Sequence, residues 1–188
     1  MRRPILWIVL LTLVAGTTPA QTEKPVEIYL ATGAAYPTND FNLQYNYGFN
    51  GSVGVGLRIA NSLRVVPKAE IQTFSIDPNY FVDTVSGGNY TAIMTGADLR
   101  WFSDLHKWWF DPILLVGGGL AFARVSTLTV GEITYYSHNE TKLYFNIGAG
   151  VDIRMTPKIS AFITGRYVRI STGGTKTEFF PVSVGMRF

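Results

Sequence analysis

The residue types best suited to reaction chemistry are sparse and clustered in loops. His106 lies in Asp104-Leu105-His106-Lys107, and His138 lies in Tyr135-Tyr136-Ser137-His138-Asn139-Glu140. Ser137, His138 and Glu140 are the types of a nucleophile, a base and an orienting carboxylate, the set that acyl transfer uses. Such a trio works only at fixed mutual geometry, which near-adjacent residues of a flexible loop rarely hold, so no catalytic residue is assigned. Gly117-Gly118-Gly119, Gly148-Ala149-Gly150 and Gly173-Gly174 lack the Lys-Ser/Thr and the following helix of a phosphate loop. Asp40, Asp77 and Asp83 lack calcium-loop spacing. The absence of Cys excludes a disulfide scaffold, a thiolate metal site, a Cys nucleophile and a lipid-bearing Cys. No metal or cofactor is expected. Asn89-Tyr90-Thr91 and Asn139-Glu140-Thr141 match glycosylation acceptors.

A second group of chemistry-bearing residues is spaced by two instead of clustered. Arg58, Asp98, Arg100, Asp152 and Arg154 alternate with apolar residues, and Lys68, Glu70 and Arg166 do the same. Asp111, Glu27 and Arg187 fall on the same parity of their segments. Mixed charges on one face must pair if that face is enclosed, because a lone buried charge is costly.

The elements that carry them follow from the same period of two, which marks strands with one apolar face. At the C-terminus Phe180, Val182, Val184, Met186 and Phe188 take one face, and Pro181, Ser183, Gly185 and Arg187 the other. From Leu143 to Met155 the odd residues are apolar, and the even ones are Tyr144, Asn146, Gly148, Gly150, Asp152 and Arg154. Eight strands are expected at 26–36, 49–60, 63–76, 91–102, 110–125, 142–155, 159–170 and 179–188. In the fifth, Pro112, Leu114, Val116, Leu120 and Phe122 are assigned to the apolar face, against Ile113, Leu115, Gly117, Gly119 and Ala121. The links near Asn61, at 103–109 and at 156–158 are short or moderate. Those at 37–48, 77–90, 126–141 and 171–178 are longer and rich in Asn, Gly, Ser and Thr. That alternation suits an up-and-down sheet closed on itself.

An alternating barrel is either a soluble lipocalin-like binder, apolar inside, or a membrane barrel, apolar outside. The polar face is rich in Gly and mixed charge, which suits a narrow packed interior; repeated Gly on a solvent face would only weaken strands. Trp101, Trp108 and Trp109 flank a short link, while Tyr36, Tyr47, Phe49, Tyr90, Tyr135 and Tyr136 flank long ones, as in two interfacial girdles. Phe180 to Phe188, at ~3.3 Å per residue and a tilt near 40°, covers about the apolar thickness of such barrels.

Ahead of the strands stand Arg2 and Arg3, the apolar run Ile5 to Val14, and a small-residue exit ending Thr18-Pro19-Ala20. This is the form of a secretory signal peptide, residues 1–20, cut between Ala20 and Gln21 to leave a barrel domain over 21–188; an uncut anchor is the alternative. Of the 188 residues 15% are charged, and apart from Arg2 and Arg3 the remaining 14 of the 16 Lys and Arg nearly balance the 13 Asp and Glu. That balance gives no footing for nucleic acid.

The terminal alternation ending on Phe188 resembles the C-terminal signal of bacterial outer-membrane proteins, which the barrel-assembly machinery reads. With the leader, eight strands and long alternate loops, residues 26–188 resemble the small outer-membrane β-barrel family typified by the OmpA membrane domain and OmpX. The resemblance implies an all-β, eight-stranded transmembrane barrel in the outer membrane, among its lipids, with both termini periplasmic. It implies a monomeric, non-enzymatic protein whose long loops serve surface contact or shielding. A small porin-like channel is the alternative, and an outer-leaflet lipid hydrolase a more distant one. For the lumen the expectation is a charge network of Glu27, Arg58, Asp98, Arg100, Asp111, Asp152, Arg154 and Arg187, with Glu27–Arg187 and Arg100–Asp111 as its pairs.

Overall fold

The computed structural model describes residues 26–81, 84–103, 109–171 and 176–188. Ala20, Gln21 and the expected cleavage point lie outside the described residues, as do Asp83, Asp104, His106 and Trp108. The chain forms β1 (Val26–Thr38), α1 (Asp40–Gln44), β2 (Tyr45–Ala60), β3 (Leu63–Ile76), β4 (Val85–Gly87), β5 (Tyr90–Phe102) and β6 (Phe110–Val125). It continues as β7 (Leu128–Val130), β8 (Ile133–Tyr135), β9 (His138–Thr156), β10 (Ile159–Ile170) and β11 (Thr177–Arg187).

Eight of these strands close a barrel in the order β1, β2, β3, β5, β6, β9, β10, β11 and back to β1. Every neighbouring pair is antiparallel. At the seam, Tyr29 stands opposite Arg187 and Thr38 opposite Glu178. The seam's last rung is a reciprocal pair: the Ile28 amide donates to the Phe188 carbonyl at 3.1 Å and the Phe188 amide to the Ile28 carbonyl at 3.0 Å. Closure leaves no strand edge in the wall, which hydrocarbon demands because it offers no partner to backbone polar groups.

The period of two sorts the side chains. Ile28, Leu30, Val53, Val55, Ile93, Leu114, Val116, Phe145, Ile147, Ile163, Val182, Val184 and Met186 all point outward and are exposed. A contiguous apolar belt on that scale is a liability in water and the lipid-facing surface of a membrane barrel. On β6 the assignment from sequence matches the burial: Ile113, Leu115 and Ala121 are buried, while Leu114, Leu120 and Phe122 are exposed.

The strands end close to expectation beside the short hairpins and run past it on the other side. β2 begins at Tyr45, not 49, and β9 at His138, not 142. These extensions, Tyr45-Asn46-Tyr47-Gly48 and His138-Asn139-Glu140-Thr141, carry no aliphatic alternation, yet their backbone pairing continues. The long connections also fold. α1 lies between β1 and β2, and Asn39 before it has φ 54°. After β3, a 3-10 turn over Pro78–Tyr80 is capped by the Asp77 carboxylate, which accepts from the Asn79 amide at 3.0 Å. β4, β7 and β8 form a separate three-stranded sheet above the barrel.

Candidate functional site: a filled lumen in two layers

The inward rungs nearest the short hairpins carry a charged layer. Glu27 accepts from Arg187 Nη1 at 2.7 Å and from the Tyr29 hydroxyl at 2.7 Å. Its carboxylate also lies 2.8 Å from Arg64 Nε and 3.7 Å from Arg58 Nη2. On the other side of β11, Arg187 donates to the Ser160 hydroxyl of β10 at 2.9 Å and, past it, to Asp152 of β9 at 2.7 Å. Asp111 accepts from Arg154 at 2.6 and 3.0 Å.

Deeper in the lumen, Glu70 is the hub. Arg166 grips it with both terminal nitrogens, at 2.8 and 2.6 Å, and Lys68 donates to it at 3.0 Å. Gln72 donates to it as well. Lys68 also lies 3.0 Å from Asp98, which takes Arg100 at 3.3 Å and Asn146 at 3.2 Å. Lys68, Glu70, Asp98 and Arg166 are all buried, and each charge has an opposite partner, as burial requires.

Above this network the lumen turns apolar. Phe41, Tyr45, Phe74, Tyr90, Met94, Tyr144 and Phe179 form one buried cluster. Phe41 descends from α1 so that its ring centroid stands 4.6 Å from Tyr45 and 5.1 Å from both Phe74 and Tyr90, and Phe74 stands 5.2 Å from Phe179. These spacings are those of packed aromatic pairs. The loop helix thus seats a plug in the barrel mouth.

Glycines on the inner wall make room for this filling. A Cβ on Gly117 would lie 2.2 Å from Asp98 Oδ1, and one on Gly56 would lie 2.5 Å from the Tyr29 ring. The glycine-rich face is therefore a mould for facing side chains.

Comparison with known proteins decides what kind of barrel this is. The model of the outer membrane protein beta-barrel domain family matches residues 7–188. The chain belongs to that family. As an outer-membrane barrel it resides in the outer membrane. Among solved structures it is similar to Neisserial surface protein A, with 18% identity and a TM-score of 0.61 over 87% of this chain and 96% of that one. It is also similar to Ail, the attachment invasion locus protein of Yersinia pestis, with 15% identity and a TM-score of 0.55 over 88% of this chain and 100% of that one. A major outer membrane protein from Thermus thermophilus follows, with 10% identity and a TM-score of 0.57 over 88% and 99%. At these identities the likeness is one of fold. No curated protein matches the chain.

In this outer-membrane barrel the structure brings Glu27 and Arg187 together, and it places Arg58, Asp98, Arg100, Asp111, Asp152 and Arg154 on inward rungs. It does not pair Arg100 with Asp111. Arg100 stands opposite Leu115, four residues along β6 from Asp111, so it turns to Asp98, its neighbour on the same face. Asp111 stands opposite Asp152 and takes the diagonal Arg154. Tyr90 is likewise not part of an outer girdle: it is buried in the plug. Tyr36, Tyr47, Phe49, Trp101 and Trp109 are exposed on the outside, at the two ends of the belt.

Arg64 and Tyr29 are lumen residues that the sequence reading passed over, although their parity matches Lys68 and Glu27 on the same strands. At the loop end, His138 Nε2 and Glu140 Oε1 lie 2.9 Å apart with the His138 side chain 70% exposed. Ser137 has no hydrogen bond to either among the described residues. Of the assembly-signal set, Phe180, Val182, Val184, Met186 and Phe188 all point outward along β11 and its end.

Proposed function

We propose that this protein is a non-enzymatic, monomeric outer-membrane barrel whose lumen carries no traffic and whose long connections, facing the outside, serve surface contact or shielding. Both termini then lie on the periplasmic side, beside the short hairpins. Export by the leader peptide and recognition of the β11 alternation by the barrel-assembly machinery complete the reading.

The observation that supports it best is the filled lumen. A salt-bridged layer and an aromatic plug are stacked along the axis, and about eight strands leave an interior just wide enough for side chains to fill or for one small ligand, too narrow for an open channel. With the inside occupied, what remains accessible is the loop end: the small β4–β7–β8 sheet, and exposed side chains such as Tyr136. Ail, by its name, is an attachment protein, and a contact role here has the same architecture to draw on. The non-enzymatic reading draws on the exposure of the His138–Glu140 pair, to which Ser137 makes no hydrogen bond among the described residues.

Planar-bilayer recording tests the closed lumen: a flat baseline is expected, and discrete conductance steps in the wild-type protein would return the porin-like alternative. Unchanged lipid A mass in cells that express the protein is expected; a shifted mass would point to the hydrolase. Replacing 127–137 by a short Gly-Ser link should abolish surface contact while leaving the barrel folded.

A further inference from the structure

The charged layer contains an arrangement that its own ion pairs do not explain. The β2–β3 register sets Arg58 opposite Arg64, and the β3–β5 register sets Arg64 opposite Arg100. Three guanidiniums thus occupy adjacent inward rungs, although like charges directly opposite one another destabilise a sheet. Two carboxylates serve several of these cations at once. Glu27 is shared by Arg58, Arg64 and Arg187, and Asp98 is shared by Lys68 and Arg100. Across the described lumen, seven Lys and Arg side chains stand against five carboxylates.

The unused hydrogen-bonding capacity falls in the same place. Arg64 Nη1 and Arg100 Nε and Nη1 are buried and donate to nothing, on side chains more than nine-tenths buried. A buried donor without an acceptor costs free energy. Rings already cover the guanidinium faces: Arg64 Cζ lies 4.0 Å from the Phe102 centroid and Arg100 Cζ 4.6 Å from that of Tyr29. What is left is the in-plane N–H edge, the part of a guanidinium that grips an oxyanion with two parallel bonds.

We propose that the Arg58–Arg64–Arg100 row is a binding site for a small inorganic oxyanion of the phosphate or sulfate class. The anion enters from the short-hairpin end, where the Arg58 and Arg187 side chains are 16% and 15% exposed, because the aromatic plug fills the other end. Lipid headgroup phosphates lie outside the wall, so the free anion is the ligand. Its charge suits a row of facing guanidiniums, and its oxygens take the idle donors of Arg64 and Arg100.

The test uses the full barrel domain folded in uncharged maltoside micelles, which contain no phosphate. Thermal unfolding is followed by tryptophan fluorescence while sodium phosphate or sulfate replaces sodium chloride at constant ionic strength. A saturable rise in the midpoint with phosphate and with sulfate is expected. Arg64→Gln and Arg100→Gln should each weaken that response at least tenfold. Each variant's midpoint in chloride alone is the baseline from which its own anion response is read. Arg64→Lys, which keeps the charge and loses the fork, should also respond weakly. Arg169→Gln, on the outer face, should respond like the parent. A midpoint that follows ionic strength alike for every anion would overturn the proposal, as would an undiminished response in Arg64→Gln and Arg100→Gln. If a Gln variant does not fold, the parent's anion series and Arg64→Lys decide.

Discussion

Replacing Glu70 by Gln removes one negative charge from the centre of the lumen while preserving shape. Two cations depend on that charge: Arg166, bonded at 2.8 and 2.6 Å, and Lys68, at 3.0 Å. Their side chains are 5% and 2% exposed, and that of Glu70 is 0% exposed. After the change both must share Asp98, which already serves Arg100. Leaving a buried charge uncompensated costs about 3–5 kcal/mol, two to three decades in the folding equilibrium. Arg166→Met should cost less, because the surviving carboxylate keeps Lys68 and Gln72. The double variant Glu70→Gln/Arg166→Met removes both charges and leaves Lys68 with Asp98, so it should be milder than Glu70→Gln. The coupling should amount to about 2–3 kcal/mol. Urea unfolding from lipid vesicles, across the four members of the cycle, measures it. Additive effects, or a Glu70→Gln cost under ~1 kcal/mol as for an exposed pair, would refute the reasoning.

Other substitutions probe the wall and the seam. Arg at Val55, Ile147 or Val184 should cost about 2–4 kcal/mol in the same assay if these exposed side chains meet mid-bilayer lipid. Gly117→Leu should overpack the lumen against Asp98 and Asn146 and cost about 1–3 kcal/mol; an unchanged midpoint would mean open space there. Deleting Phe188 breaks its reciprocal bonds with Ile28 and should lower the folded, heat-modifiable fraction on gels of membrane preparations, whereas normal insertion would argue against a terminal assembly signal.

The wall was legible because its signal is local. Alternation at Phe180 to Phe188 or Leu143 to Met155 reports which side of the sheet each residue faces, and closure then follows from loop lengths. The lumen was legible only in part. Parity tells that Arg100 and Asp111 both face inward, but their separation is set by the register of β5 on β6, which depends on a hairpin whose length does not announce its pairing. The aromatic plug was hidden differently. Phe74, Tyr144 and Phe179 sit at inward parity, yet parity gives only the face of the wall and not which inward rungs stack into an apolar layer. Phe41 could not be placed, because α1 spans only Asp40–Gln44 and carries no helical period. The same holds for β4, β7 and β8, each three residues long.

The central claim is that the apolar face of this barrel meets lipid while the polar face lines a filled interior. With no native Cys, single-cysteine variants at Val55, Ile147 and Val184, and at the buried inward positions Thr164 and Ser183, can be spin-labelled in reconstituted vesicles. The account predicts high collision rates with membrane-dissolved oxygen at the first three and low rates with both oxygen and a water-soluble nickel chelate at Thr164 and Ser183. High oxygen access at Thr164 and Ser183, with chelate access at Val55, Ile147 and Val184, would show the barrel to be inverted and contradict the account.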